Sequence, residues 1–239
     1  MGKMHYRVHK EVFEICPDLQ FGILIGSNLS HIGGLEEDAL KLRTAEIQIR
    51  QKIEPDALRN HPNINGYRTV MEQSGINPNK YPPSSEAMIK RILKGASLPN
   101  INGLVDLCNA ISLENVISLG GHDLADISED LSVCLTKGNE TFLPFGSDVY
   151  EPVEANELVF TSGDIVQTRK WVWRQSELGK MTEQTQNVFF QLVGFDGDGL
   201  DSFLKAMDAV EEMIKTRFNG HCERMIVNKD NPEIEFSKE

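Results

Sequence analysis

Apolar residues along this chain switch between a period of two and a helical period. Residues 12–15 and 20–25 read as short strands on either side of a Pro17-Asp18 turn. Leu35, Ala39, Leu42, Ala45, Ile49 and Ile53 then recur at spacings of three and four, which predicts one long amphipathic helix. Pro55 and His61-Pro62-Asn63 interrupt that pattern, so one or two short helices are expected around residues 67–72. A further helix is expected from Ser84 or Ser85, with Pro83 before it, Glu86 in its first turn and Gly95 at its C-terminal end. Residues 103–112 predict another, with Leu104, Leu107, Cys108 and Ile111 on one face and Asn102, Asp106 and Asn109 on another. From Leu131 onward come short β-like runs at 133–136, 141–145, 157–161, 165–174 and 187–194. A last amphipathic helix over 200–218 precedes a short strand at 223–227 and a polar tail. The pattern is that of an α+β protein, and several strands in succession suggest a curled or closed, barrel-like sheet with flanking helices.

Composition changes this picture mainly by exclusion. A chain of 239 residues that is 40% hydrophobic and 25% charged has ordinary globular composition and can bury a substantial core as one large domain. The N-terminus carries charge but no apolar run behind it, and no stretch approaches the roughly 18 apolar residues of a membrane span, so a cytoplasmic protein with no membrane partner is expected. Cys16, Cys108, Cys134 and Cys222 are far apart, with no CxxC pair, and indicate neither a disulfide framework nor a structural metal. The net charge of −12 opposes general nucleic-acid coating, and DNA is not an expected partner. Local basic patches would have to carry any RNA contact. Between Arg68 and Lys94 the basic residues Arg68, Lys80, Lys90, Arg91 and Lys94 outnumber Glu72 and Glu86. A solvated helix face explains such a cluster as readily as RNA does.

Four groups of residues could carry chemistry. The stripe Asn102, Asp106, Asn109 offers donors and acceptors that could orient a ribose or an amino group, or could simply bond a helix to its loops. His122 sits in what reads as a turn opened by Gly120 and Gly121, which permit close backbone approach, and precedes Asp123, which could influence its protonation. It could position a water or accept a proton, or be only a turn residue or helix-cap partner. Trp171 and Trp173 alternate with basic residues and would share a strand face with Arg169, as a ribbon that stacks nucleobases or as rim packing. Residues 196–201 begin like a calcium loop, but Leu200 and Met207 stand where ligands belong, so they read as an acidic turn capping the last helix. There is no P-loop, Rossmann glycine fingerprint or GxSxG elbow.

The succession Pro99, Asn102, Val105, Asp106, Asn109 resembles the P-x-x-N-x-x-V-D-x-x-N run of the B3/B4 editing module in the beta subunit of phenylalanyl-tRNA synthetase. Gly120, His122 and Asp123 resemble its G-x-P-x-H-x-x-D block in compressed form and without the proline. Thr185-Gln186-Asn187-Val188 is similar to its T-x-N-V strand entry, and both patterns carry a glutamate eight residues before the threonine, here Glu177. The resemblance covers residues 67–188, with a strand and helix extension at 1–60 and the C-terminal helix at 199–219, and it extends to free-standing relatives built from this module alone.

The resemblance implies a closed barrel and a pocket that hydrolyses mischarged aminoacyl-tRNA with a polar cage and a positioned water, using no metal or organic cofactor. It implies Asn109, His122 and Glu177 as pocket residues, with His122 and Glu177 catalytic; Asn102 and Asp106 of the same stripe, Gly121, Trp171 and Trp173 are expected with Asn109 around the substrate. With an RNA substrate, Arg68, Lys90, Arg91 and Lys94 of the basic cluster and Arg169 of the ribbon are the residues expected against RNA. Where the synthetase has a glycine-rich run, this chain has Trp171-Val172-Trp173-Arg174-Gln175, and Cys108 replaces a usual threonine, which implies a pocket of different shape. The synthetase's aminoacylation and anticodon-binding parts have no counterpart, so ligase activity is not implied. A non-catalytic module gripping RNA or an amino-acid-like small molecule is the alternative.

Overall fold

The computed structural model describes residues 2–197 and 199–238. In chain order the elements are β1 (Lys3–Val8), α1 (Lys10–Ile15), β2 (Leu19–Ser27), α2 (Glu36–Lys52), α3 (Pro62–Gln73), α4 (Ser84–Leu93), α5 (Gly103–Asn115), β3 (Ser118–Asp123), β4 (Leu131–Leu135), β5 (Thr141–Phe142), β6 (Glu151–Pro152), β7 (Leu158–Ser162), β8 (Ile165–Arg169), β9 (Arg174–Gln175), β10 (Val188–Phe195), α6 (Leu200–Glu212), β11 (His221–Val227) and β12 (Glu233–Ser237). A π-helical turn, Met213–Arg217, extends α6.

Strands β2 and β10 are buried almost throughout, as strands covered on both faces must be. They pair antiparallel from Leu19↔Phe195 to Gly26↔Val188 at the centre of a four-stranded sheet ordered β11-β2-β10-β3. On one face Leu24, Phe190 and Leu192 pack with apolar residues of α5 and α6. Helix α6 comes so close that a Cβ at Gly22 would lie 2.6 Å from Met207 Sδ. On the other face Phe21, Ile23, Phe189 and Val193 join a core that includes Tyr6, Val133 and Phe160 of the larger sheet and Ile64, Tyr67 and Ile89 of α3 and α4. The larger sheet is mixed, ordered β12-β1-β4-β7-β8-β5-β6 with β9 on β8; β1 runs parallel to β4 and β5 parallel to β8.

The expected barrel-like closure does not occur. The fold is α+β, but its two sheets are open and separate, with β12 and β6 ending one and β11 and β3 ending the other. The physical reason lies in β2 and β10. Strands apolar on both faces need a layer on each side, and the helices and the larger sheet supply the two layers.

Three local readings are corrected as well. Residues 12–15 lie in the short helix α1, whose Val12 and Phe13 turn into the core, while the unexpected β1 places Met4, Tyr6 and Val8 inward by strict alternation. Residues 120–123 form a strand instead of a turn. Strand β8 stops at Arg169 because Lys170 (φ 49°) and Trp171 (φ 64°) adopt left-handed backbone. This sharp bend is held by Glu157, which accepts from the Lys170 amide at 3.1 Å, and by the Ser84 amide donating to Val172 O at 2.8 Å. The supposed face shared by Arg169, Trp171 and Trp173 is therefore absent. The polar tail contains β12, paired with β1. The acidic turn read at 196–201 includes Asp198, which lies outside the described residues. Among the described residues no helix is long and apolar enough to cross a membrane.

Candidate functional site

Strand β3 is the outer strand of the smaller sheet, and its alternating residues open onto two cavities. One, of about 180 Å³, is lined by Ser118, Gly120 and His122 together with Trp171, Trp173 and Gln191; it is called here the His122 cavity. The other, of about 420 Å³, is lined by Gly121, Asn102, Val105, Phe145, Lys180 and Met181; it is the Lys180 cavity. Asn109, Leu119, Gly120 and Gln175 line both. A larger groove, about 630 Å³, lies beside β1 and α1, but Arg7 and Lys10 in its wall form surface ion pairs with glutamates. The His122 cavity differs from that groove in that two of its lining residues, His122 and Trp171, keep buried polar atoms with nothing to bond.

His122 is only 2% exposed and sits edge-on to Phe160, with ring centroids 5.0 Å apart. Its Nδ1 is buried without a partner. Burial pushes its pKa down to about 3, so the ring is neutral at physiological pH. Asp123 does not help it. The Asp123 carboxylate is taken up by Thr185 Oγ1 at 2.6 Å and the Ala125 amide at 2.9 Å. Beside His122, Gln167 Oε1 is also unpartnered, and both atoms face Gly179, where a Cβ would come within 3.2 Å of Gln167 Oε1 and 3.4 Å of His122 Nδ1.

The polar stripe on α5 divides. Asn102 caps the helix, accepting from the Val105 amide at 2.9 Å and donating to Met181 O at 3.2 Å, and so ties α5 to the wall of the Lys180 cavity. Asp106 accepts from Asn100 Nδ2 at 2.7 Å and the Ile101 amide at 2.9 Å, which shapes a loop; it lines neither cavity. The Asn109 side-chain amide makes no hydrogen bond among the described residues and stands where the cavities meet. Gln175, on β9, donates to Gly121 O at 2.9 Å and closes that junction from the opposite side.

Glu177 lines neither cavity. Its carboxylate bonds Lys180 and accepts from the Gly146 amide at 2.9 Å, and these contacts hold its pKa below the usual carboxylate range. Lys180 in turn lies 6.0 Å from the Phe145 ring at the rim of the cavity. Trp171 is buried, with its ring edge-on to Tyr67 and its Nε1 unpartnered, whereas Trp173 is half-buried against Tyr81.

Most of the basic residues expected to meet RNA are committed elsewhere. Arg68 is buried and bonds both oxygens of Glu86 at 3.1 Å, and Lys90 pairs with the same carboxylate at 2.5 Å. Arg169 grips Glu157 through two bonds of 3.0 and 2.7 Å. Arg91 is exposed and donates only to Ser97 O, and Lys94 is exposed. The sequence reading missed Gln175, Gln191 and Met181 as cavity residues. A signal existed for Gln191, a single amide between the inward residues Phe189 and Val193 of β10. Among the described residues no cluster of His, Cys, Asp and Glu has the makings of a metal site.

Residues 66–227 match the family model described as the B3/4 domain. Among solved structures, an N-terminal fragment of the phenylalanyl-tRNA synthetase beta-subunit from Pyrococcus horikoshii is similar at 12% identity and a TM-score of 0.44. The match covers 92% of this chain and 53% of that one, so this chain spans about half its length. Comparison with curated proteins gives no significant match.

Proposed function

Because the chain belongs to the B3/4 domain family, we propose that it works as a free-standing tRNA-editing unit whose two cavities take the aminoacyl end of a mischarged tRNA. Residues 1–60 and the helix near 199–219 are read as parts of the same unit, acting in the cytoplasm. Water attacks the ester carbonyl, the bond from the carbonyl carbon to the ribose oxygen breaks, and a proton of the water passes to that departing oxygen, leaving a free amino acid and a ribose hydroxyl. Neutral His122 orients that water through one ring nitrogen, while Asn109 and Gln175 hold the substrate where the cavities meet. Asn102 and Gly121 shape the Lys180 cavity, Trp171 and Trp173 bound the His122 cavity, and Arg91 and Lys94 meet phosphate. Glu177 holds Lys180 at the rim. This route uses no metal or organic cofactor.

The observation that carries the proposal is that two residues lining one cavity keep buried polar atoms without partners, His122 Nδ1 and Trp171 Nε1, with Gln167 Oε1 unpartnered beside the histidine. Such atoms are costly in a folded protein unless something else bonds them. The test is a full panel of mischarged tRNAs assayed for ester loss, with release of at least one amino acid expected.

A second reading has its own support. A histidine with a pKa near 3 is a weak base, and Glu177 is already bonded, as suits a module that binds without cleaving. Retained binding with no deacylation across the panel would select it. Comparing binding at two salt concentrations separates RNA from a small ligand, because phosphate contacts weaken steeply with salt.

A further inference from the structure

The wall of the His122 cavity contains no Asp, Glu, Lys or Arg, although a quarter of the chain is charged. Its polar members are amides, hydroxyls, two indoles and a neutral imidazole. A ligand group with a full charge would find no counterion there. Besides the Asn109 amide, donors in this wall without an acceptor among the described residues include Trp171 Nε1, which is buried, and Gln191 Nε2. The orientation of the second is fixed from a distant part of the chain. Tyr6 on β1, fully buried among Phe21, Phe160 and Phe189, donates its hydroxyl to Gln191 Oε1 at 2.8 Å. Burial raises the phenol pKa well above its ordinary value, so the hydroxyl keeps its proton and remains a donor. With its oxygen engaged, the Gln191 amide offers its NH₂ group to an acceptor. Tyr6 lies outside the segment that matches the B3/4 domain.

We infer that the His122 cavity selects an aminoacyl group with a small, uncharged, oxygen-bearing side chain, and that Tyr6 is a positioning residue for this selection through Gln191. The inference rests on the editing reading for the identity of the ligand, and on the cavity wall for its chemistry. A side-chain hydroxyl or amide oxygen accepts from Gln191 and Trp171. An aliphatic side chain of the same shape leaves both donors unpaired, and a site built to bond an oxygen rejects the analogue that lacks it.

The experiment uses the full chain and 3′-aminoacylamino-3′-deoxyadenosines, whose amide resists hydrolysis, with binding measured by calorimetry. Threonyl and valyl analogues differ by a hydroxyl in place of a methyl, and the lysyl analogue adds a charge. Threonyl is expected to bind at least about tenfold more tightly than valyl, with lysyl the weakest. Tyr6→Phe should weaken the threonyl analogue about tenfold more than the valyl one. Gln191→Met, which keeps the length and removes the amide, should narrow the ratio in the same way even if Tyr6→Phe fails to fold. Equal binding of threonyl and valyl analogues overturns the inference, as does a Tyr6→Phe loss that is the same for both. Deacylation of charged tRNAs without the threonyl preference overturns this inference and leaves the editing reading intact. The preference without deacylation does the reverse. No binding of any analogue overturns both.

Discussion

Helix α4 faces two sites that treat polar atoms in opposite ways. On one side Glu86, fully buried, is surrounded by Arg68, Lys90 and, at 3.8 Å, Arg59; Arg68 also donates to Asn79 Oδ1 at 2.7 Å. On the other side Ser84 and Met88 border the His122 cavity, where His122 and Trp171 keep unpartnered atoms. A saturated polar cluster holds α3 and α4 together and has little capacity left for a ligand. An unsaturated one contributes nothing to the fold that apolar residues could not contribute better, and its polar groups gain their bonds when a ligand arrives. Charge clusters in the sequence thus pointed to structure, and uncharged amides pointed to the site.

The largest effect should come from breaking the saturated side. Glu86→Ala leaves Arg68 buried with its ion-pair partner removed, a change that typically costs about 3 to 5 kcal/mol. Urea unfolding measures it. A loss below about 1 kcal/mol would mean that water reaches Arg68 and that the two faces of α4 do not differ as described.

Next comes the unsaturated side. His122→Ala should slow ester hydrolysis about a hundredfold, the usual scale for losing one positioning or acid-base group, equivalent to about 2.7 kcal/mol at the barrier. Single-turnover deacylation of the best tRNA in the panel reads it. Removing the ring also opens a hole beside Phe160, so unfolding is measured on the same protein and the rate is compared only where the variant is folded.

Much of this arrangement was legible in the sequence, and the failures have identifiable causes. Helices α2 and α5 are long enough for their period to declare itself, strands β2 and β10 show as short apolar runs, and the Asn102 cap lies next to the helix it starts. Helix α1 has six residues, too few for a helical period to be told from a strand. Gly120 and Gly121 suggested a turn, yet their lack of side chains serves a strand whose neighbour is close: a Cβ at Gly121 would lie 2.6 Å from Met181 Sδ. His122 and Asn109 were found because they lie in motifs. Tyr6 and Gln191 could not be paired, since their bond crosses from one sheet to the other between residues 185 positions apart. The division into two sheets has the same origin, because it depends on which strands need cover on both faces at once.

The buried histidine also has a signature in pH. Its pKa is about 6.5 when unfolded and about 3 in the native protein, lowered by burial. Between these values the unfolded chain binds a proton that the native chain does not, so the native state loses stability as pH falls. The full contribution is present above about pH 6.5, and acidification to pH 5 should remove about 2 kcal/mol of it. Titrating carboxylates add their own slope, so the measurement is the difference between wild type and His122→Gln from pH 7 to pH 5. Parallel curves would mean that water or a neighbour already satisfies the ring, and the contrast with Glu86 would then lose its main element.

The smallest effect is expected at Glu177, although the family resemblance made it a catalytic partner of His122. Its carboxylate is bonded by Lys180 and the Gly146 amide at a partly exposed rim, and it lines neither cavity. Glu177→Gln retains an oxygen to accept from Gly146 and removes only the charge that holds Lys180. Exposed pairs of this kind contribute little, so deacylation should change by less than about threefold, with a modest change in the salt dependence of tRNA binding as Lys180 is released. Assaying Glu177→Gln beside His122→Ala under the same conditions makes the ratio of their effects the decisive quantity. A hundredfold loss for both would mean that Glu177 leaves Lys180 and turns toward the ester when substrate binds. In that case a polar group already bonded in the free protein would be a working part of the site, and the rule drawn from the two faces of α4 would fail at the rim.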